Sequence, residues 1–323
     1  MSLRSSRVFP LRCPQMDCSR PYGRAELNPK LGRIVRKGRY FRAEDSRWIS
    51  RFHCRHCDRS FSSSRFSDCF GQKKRKLNAS VRTLLCSGVS QRRIARILRI
   101  NRKTVVRKFL FLADQARTQR EGYLQTLQAQ GVQLTLVHMD EMESFERSKC
   151  LPLSIPLMVA PGSRKILGFR VAVMPAKGLL AQISRKKYGR REDHRATSAA
   201  SLFLEMKPLL APGAVILTDQ NPHYPGWLRP HFPNADHKTV KGRRGCVVGQ
   251  GELKKIGRDP LFDLNHTCAM IRANINRLFR RTWCTTKRPD RLCAHLEIYA
   301  QYHNNELTPA LKLERVLKPQ TGG

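Results

Sequence analysis

The sequence predicts a multidomain α+β protein: a small cysteine-rich module, a three-helix module, and an α/β domain built on a mixed sheet. Three observations carry this prediction. Two short-spaced cysteine pairs are complete by Cys57. Residues 77–128 have strongly helical apolar spacing, with capping residues at the joins. From Val132 onward, β-branched apolar runs alternate with helical stretches, the pattern of helices covering a sheet. A chain of 323 residues is long enough for two or three domains with real cores. The expected boundaries are 1–75, 76–130 with its linker helix, 131–310, and a tail over 311–323.

Charge narrows the partners. There are 62 Lys and Arg against 24 Asp and Glu, a formal net charge of +38. The hydrophobic fraction of 40% is that of a folded chain, so wholesale disorder is excluded. Such a chain repels itself and should seek a polyanion whose counterions it can displace, nucleic acid before an anionic membrane. The membrane alternative falls because no apolar run approaches the roughly 20 residues of a span. The longest, Leu151 to Pro161, is broken by two internal prolines. The opening MSLRSSRVFPLRC has no apolar h-region, so no secretory signal is expected and the cytoplasm is the expected compartment. The eleven cysteines then belong to a reducing environment, where metal binding or burial replaces disulfides. Cys86, Cys150, Cys268, Cys284 and Cys293 lack a partner at ligand spacing and read as small core residues.

The first module takes its form from Cys13 and Cys18 followed by Cys54 and Cys57. Two cysteine knuckles a few tens of residues apart are the sequence form of a four-thiolate structural Zn²⁺ site, a zinc ribbon. The metal would tie together hairpins that bury too little apolar surface to fold alone. Arg39-Tyr-Phe-Arg42, Arg47-Trp-Ile49 and Phe52 suit short strands between the knuckles. His53, His56 and Cys69 are substitute ligands, with His56 expected to point away.

In the second module, Leu84, Leu85, Ile94, Ala95, Leu98, Ile100, Val105 and Val106 are spaced to pack three short helices. Gly88 suits the turn after the first helix; Ser90 can cap Gln91–Leu98 and Asn101 can cap Arg102–Leu112. The short join at Arg99-Ile-Asn101 fits a helix-turn-helix. Arg102, Lys103, Thr104, Arg107 and Lys108 on its last helix are candidate contacts to base edges and phosphates of double-stranded DNA. An amphipathic helix over 114–130 should lead into the next domain.

The third module reads as a strand ending near Asp140, a hairpin from Leu153–Val159 to Ile166–Val173, and a helix from Thr197 to Leu210. A strand over Ala214–Leu217, one over His237–Val240 and a long helix from about Leu264 to Trp283 follow. This order fits a ribonuclease-H-like fold with carboxylates at two strand ends. Such chemistry needs oxygen ligands for two divalent ions, one activating a water or 3′-hydroxyl and the other stabilising the leaving oxygen. Asp140 and Asp219 could bridge these Mg²⁺ or Mn²⁺ ions. The third ligand should come from the last helix, where no Glu stands at the start. Asn265 is favoured because Arg272 lies two helical turns on along the same face, while Asp263 stays open and Glu297 is more remote. Glu141 and Glu143 neighbour the first aspartate, His138 reads as core, and His223, Tyr224 and Trp227 read as packing. Lys238, Lys241, Arg243 and Arg244 form a basic run suited to the DNA backbone, and Arg272 is a candidate contact to donor DNA.

Three segments carry a resemblance: His138-Met-Asp-Glu-Met-Glu-Ser-Phe145, Leu217-Thr-Asp-Gln220, and Ile271-Arg-Ala-Asn-Ile-Asn-Arg-Leu-Phe-Arg-Arg-Thr-Trp-Cys-Thr-Thr-Lys287 with Tyr302-His-Asn304 after it. Over essentially the whole chain the sequence resembles the transposases of small bacterial insertion sequences. These combine a zinc ribbon, a helix-turn-helix and an acidic-triad core. The resemblance implies Mg²⁺-dependent cleavage and transfer of DNA ends, with terminal inverted repeats and target DNA as partners and a homodimer or higher oligomer assembled on DNA. It implies Asp140 and Asp219 as the first two metal ligands and sets Asn265 where relatives usually carry Glu. The alternative from the same residues is a non-catalytic DNA-binding regulator, or a transposase remnant whose core is now a scaffold.

Overall fold

Aromatic and β-branched residues dominate the first ordered stretch, and they form strands. The structure is a computed structural model that describes residues 13–15, 18, 34–241, 259–279 and 284–308. The chain divides into two compact units between Ala79 and Ser80. In the first, β1 (Ile34–Arg42), β2 (Arg47–Cys54) and β3 (Arg59–Ser62) make an antiparallel sheet in sequence order. Alternation along β2 turns Ile49, Phe52 and Cys54 inward, and Ile34, Phe61 and Cys13 complete the small core. The Phe52 and Phe61 rings lie 5.7 Å apart.

The second unit begins with three helices. The α1 helix (Leu77–Leu85) spans the division, and α2 (Gln91–Ile97) and α3 (Arg102–Ala129) follow. The expected caps are both formed: Ser90 Oγ accepts the Arg93 N–H at 3.4 Å and Asn101 Oδ1 accepts the Lys103 N–H at 2.8 Å. Gly88 sits in the α1–α2 turn at φ +71°, and its N–H donates to the Asn274 carbonyl at 2.7 Å. A Cβ there would come within 2.6 Å of the Phe279 ring, so both conformation and space require glycine. The third helix does not stop at Leu112. It continues through the segment expected to form a separate helix, as one rod of 28 residues. Val105, Phe109, Leu112, Ala116, Leu124 and Leu127 keep an apolar stripe against the core along its length.

Strands β4 (Leu134–Phe145), β5 (Pro152–Ala160), β6 (Lys165–Phe169), β7 (Ala172–Val173), β8 (Leu210–Asp219) and β9 (Asp236–Val240) form one mixed sheet. Its order is β6-β5-β4-β8-β9, with β7 pairing beside β5. The first three strands are antiparallel, while β4–β8 and β8–β9 are parallel. The expected hairpin turns at Gly162 (φ +73°). Helices α4 (Leu179–Tyr188) and α5 (Arg195–Met206) fill the crossover from β7 to β8, and α6 (Tyr224–Leu228) follows β8. On one sheet face, α5 and α6 bury Leu202, Phe203 and Tyr224 with the far end of α3. On the other, α7 (Phe262–Asn274), α8 (Pro289–Tyr302) and the near part of α3 bury Leu264, Ile271, Leu292 and Phe109. No described helix is long and apolar enough to cross a membrane.

Two elements differ from expectation. The helix anticipated to run to Trp283 ends at Asn274, where Ile275 turns extended (φ −101°, ψ 107°); Trp283 and the 311–323 tail lie outside the described residues. The α4 helix was not anticipated, because it buries only Ser184, whose hydroxyl donates to the Cys150 carbonyl at 2.6 Å. Of the cysteines read as core residues, Cys86, Cys150 and Cys268 are buried, while Cys284 and Cys293 are half-buried.

A buried ion-pair cluster joins the helical part to the sheet. Arg120 of α3 donates to Glu297 of α8 at 3.0 Å and to Glu205 of α5 at 2.6 Å, and Arg170 after β6 reaches Glu205 at 3.0 Å. Glu297 is only 4% exposed. Removing one partner of a buried pair leaves an uncompensated charge. Glu297→Ala should therefore lower the unfolding free energy by about 3–5 kcal/mol in urea titration. A loss within the noise of the extrapolation would show that water has access to Arg120.

Candidate active site and metal centre

The parallel pairing of β4 with β8 matches His138 with Leu217. Two residues further along each strand stand Asp140 and Asp219, on matching positions of the same sheet face. Burial, together with the negative charge of Asp219, pushes the Asp140 carboxyl up to about 6, against the Glu141 N–H and the Tyr224 hydroxyl, which favour its ionised form. Tyr224 donates to Asp140 Oδ1 at 3.1 Å and Asn221 N–H donates to Asp219 Oδ1 at 3.1 Å. Asn221 also gives its side-chain N–H to Glu141 Oε2 at 3.4 Å, and Ser154 donates to the other Glu141 oxygen. Burial raises the Glu141 carboxyl, opposed by Ser154, Arg195 and Lys177.

Of these carboxylates, Asp219 lines a cleft of about 440 Å³ together with Lys177, Arg195, Asn221 and His223. Arg195 is held by Asp193 at 2.7 Å, and Lys177 pairs with Glu143 at 2.7 Å. The cleft thus sets cations opposite hard oxygen donors, an arrangement able to grip a phosphate beside a divalent ion.

The candidates for a third ligand separate on α7. Asp263 accepts the Gly162 N–H at 2.7 Å and is committed to the β5–β6 turn. Glu297 is committed to Arg120, which removes it from the site. Asn265 lies two residues beyond Asp263, about 200° around the helix, so it points away from that turn. It is exposed, and its amide donates to Asp259 Oδ2 at 2.8 Å. The buried Cys268, one turn on, lies near enough to Asp140 for that charge to add to burial in pushing its thiol up to about 12. Arg272 is half-buried on the same flank as Asn265. His138 is buried, as read from the sequence.

Among the candidate DNA contacts, Arg102, Lys103 and Arg107 are exposed and Thr104 is half-buried on the first turns of α3. Lys108 corrects the sequence reading. At 2% exposed it faces the core with Phe109, because the helical phase that exposes Arg107 turns the next position inward. Lys241 is exposed, and Arg243 and Arg244 lie outside the described residues.

In the first unit, the sulfurs of Cys13, Cys18, Cys54 and Cys57 all lie within 4.8 Å of one another, close enough to bind a metal ion. Cys13–Cys57 and Cys18–Cys54 are each 3.7 Å apart, far beyond a disulfide bond. The Cys54 thiol falls to about 7: burial opposes ionisation, but the Cys57 and His56 N–H groups more than offset it. The substitute ligands are not recruited: His53 faces Asp58 at 3.3 Å, His56 is exposed, and Cys69 accepts the Asn78 amide at 3.4 Å.

Sequence reasoning missed Tyr224, Asn221, Arg195 and Lys177. The first two follow Asp219 within five residues, and that proximity to a strand-end aspartate was the available signal. Compared with known proteins, the chain matches no family model, and no curated protein aligns with it significantly.

A carboxyl raised above its unfolded value of 3.8 contributes stability below that pH and loses it as pH climbs through about 6. In metal-free protein, Asp140→Asn should match wild type near pH 3.8 and exceed it at pH 8, by on the order of 2 kcal/mol. Denaturant midpoints at the two pH values test this, and an unchanged difference would place Asp140 in a more hydrated setting.

Proposed function

We propose that this chain is a DNA transposase that binds the terminal repeats of its element and cleaves and transfers DNA strands. The observation that carries this reading is the parallel β4–β8 register, which sets Asp140 beside Asp219, the latter lining a cleft with Lys177 and Arg195. The strand order β6-β5-β4-β8-β9, with its antiparallel and parallel halves, supports a ribonuclease-H-like core. The capped helices α2 and α3, with Arg102, Lys103 and Arg107 exposed, support a helix-turn-helix that presents α3 to the major groove.

Two adjacent carboxylates form a hard, anionic donor set that fits Mg²⁺ or Mn²⁺, with Asn265 the candidate for a neutral third oxygen. When bound, such ions activate the attacking oxygen and stabilise the leaving one. The chain's own residues do the rest. Tyr224 and the Glu141 N–H orient Asp140, and Asn221 orients Asp219. Arg195, steadied by Asp193, and Lys177 meet the non-bridging oxygens of the scissile phosphate.

Asp140→Ala and Asp219→Ala should each abolish strand transfer in Mg²⁺, measured with labelled DNA from the ends flanking the gene, while gel-shift binding of those ends is retained. Full transfer by either variant removes both residues from the mechanism. A second reading, a DNA-binding regulator or inactive remnant, is favoured by Asn265 engaging Asp259. Absence of nicked or joined product with wild-type protein in Mn²⁺ would select it.

The four-cysteine cluster is proposed as a structural Zn²⁺ site in a zinc ribbon. Tetrahedral thiolates at about 2.3 Å from zinc stand about 3.8 Å apart, matching the two sulfur pairs. Purified protein should carry one equivalent of zinc by elemental analysis. Cys54→Ser should lose it and become protease-sensitive within β1–β3, whereas retained metal and resistance would reject the assignment.

A further inference from the structure

A second cleft, of about 800 Å³, opens where the α1–α2 turn meets the segments on either side of residues 280–283. It is lined by Arg92 and Arg93 of α2, Arg277 after α7, Lys287, and His295 of α8, and no carboxylate is among its described lining residues. Elsewhere in this unit Arg82, Arg120, Arg170, Arg191 and Arg195 have carboxylate partners.

Arg277 is half-buried, and its Nε has no hydrogen-bond partner among the described residues. Its guanidinium lies 5.6 Å from the Phe109 ring centre. Burial and the neighbouring Arg291 weaken its protonated form, and Asp290 offsets them only in part. A guanidinium withdrawn from water needs an anion, and the described residues supply none in contact. His295 is neutral: burial and Arg277 push its pKa down to about 3, and its ring faces the Leu85 carbonyl at 3.0 Å. The docking of Gly88 against Asn274 and Phe279 fixes the backbone of the α1–α2 turn at the cleft. The basic surface also continues outward. A neighbouring cleft of about 430 Å³ shares Ser90, Arg92 and Arg93 and adds Arg96 and Arg102, the last at the start of the proposed reading helix.

We propose that the cleft formed by Arg92, Arg93, Arg277 and Lys287 is a phosphate-binding site that seats a backbone phosphate of the DNA lying along α2 and α3. The source of the phosphate rests on the DNA-binding reading given above; the anion site itself does not. The guanidinium of Arg277 donates two-pronged hydrogen bonds from the floor, while Lys287, Arg92 and Arg93 close over the outer oxygens. Such a contact fixes the register of the duplex without reading sequence.

The test has two arms on full-length protein. In the first, binding of a fluorescent random-sequence duplex is titrated across salt for wild type, Arg93→Gln, Lys287→Gln and Arg229→Gln. Arg229 is exposed beside α6, on the opposite face of the sheet. The cleft variants should bind several-fold more weakly and lower the salt slope by about 1, and Arg229→Gln should change neither. In the second arm, inorganic phosphate should raise the thermal midpoint of wild type, and Arg277→Gln and Lys287→Gln should lose that rise. Duplex binding with wild-type affinity and slope in both Arg93→Gln and Lys287→Gln overturns the cleft while leaving the DNA reading intact. If wild type binds no duplex, the DNA reading fails, and the phosphate arm alone decides: protection undiminished in Arg277→Gln and Lys287→Gln overturns the anion site.

Discussion

The parallel hydrogen bonding between β4 and β8 is the constraint on which the rest of the second unit depends. It makes β4 the centre of the sheet, with an antiparallel hairpin on one side and a parallel strand pair on the other. It sorts Val137 and Met139 to the face under α5 and turns Met142 toward α7. A slip of one residue would exchange those faces and move Asp140 to the wrong side, so two apolar cores jointly hold the register. The positions of Asp140 and Asp219 are therefore secured by packing along the strands that carry them. The Asp140 carboxyl is raised chiefly by its burial in this arrangement, with the charge of Asp219 adding to it.

A second polar commitment lies deep in the helical layer. Arg120 draws α3, α5 and α8 together through two carboxylates that would otherwise be liabilities in a core. With the docking of Gly88 on the end of α7, the cluster makes the three-helix segment and the sheet parts of one core.

Much of this was legible in the sequence because the signals are local. Capping at Ser90 and Asn101, glycine in the α1–α2 turn, and the apolar strand ending at Asp219 each follow from a few adjacent residues, whereas the strand expected to end near Asp140 runs on to Phe145. The two cysteine pairs were legible for the same reason, and their sulfurs converge. What escaped depends on long-range packing. Lys108 looked like a partner of Arg107 until the helical phase turned it inward. Continuity of α3 through residue 113 follows from an apolar stripe that only the sheet makes meaningful. Tyr224 looked like loop packing, and it became a neighbour of Asp140 only because β8 lies beside β4. Which partners Asp263, Glu297 and Asn265 engage, the Gly162 N–H, Arg120 and Asp259 respectively, is a matter no spacing rule records.

The unbroken third helix has a consequence for anyone rebuilding this protein. At 1.5 Å per residue its 28 residues form a rod about 42 Å long, with exposed arginines at one end and Arg120 locked near the other. A chimera spliced within it cannot treat the junction as a tether. Each inserted residue would rotate the leading end by about 100° and advance it by one rise, so only insertions near whole turns would keep both ends in phase. Re-aiming the exposed arginines at the front end is thus a problem of screw symmetry before it is one of side chains.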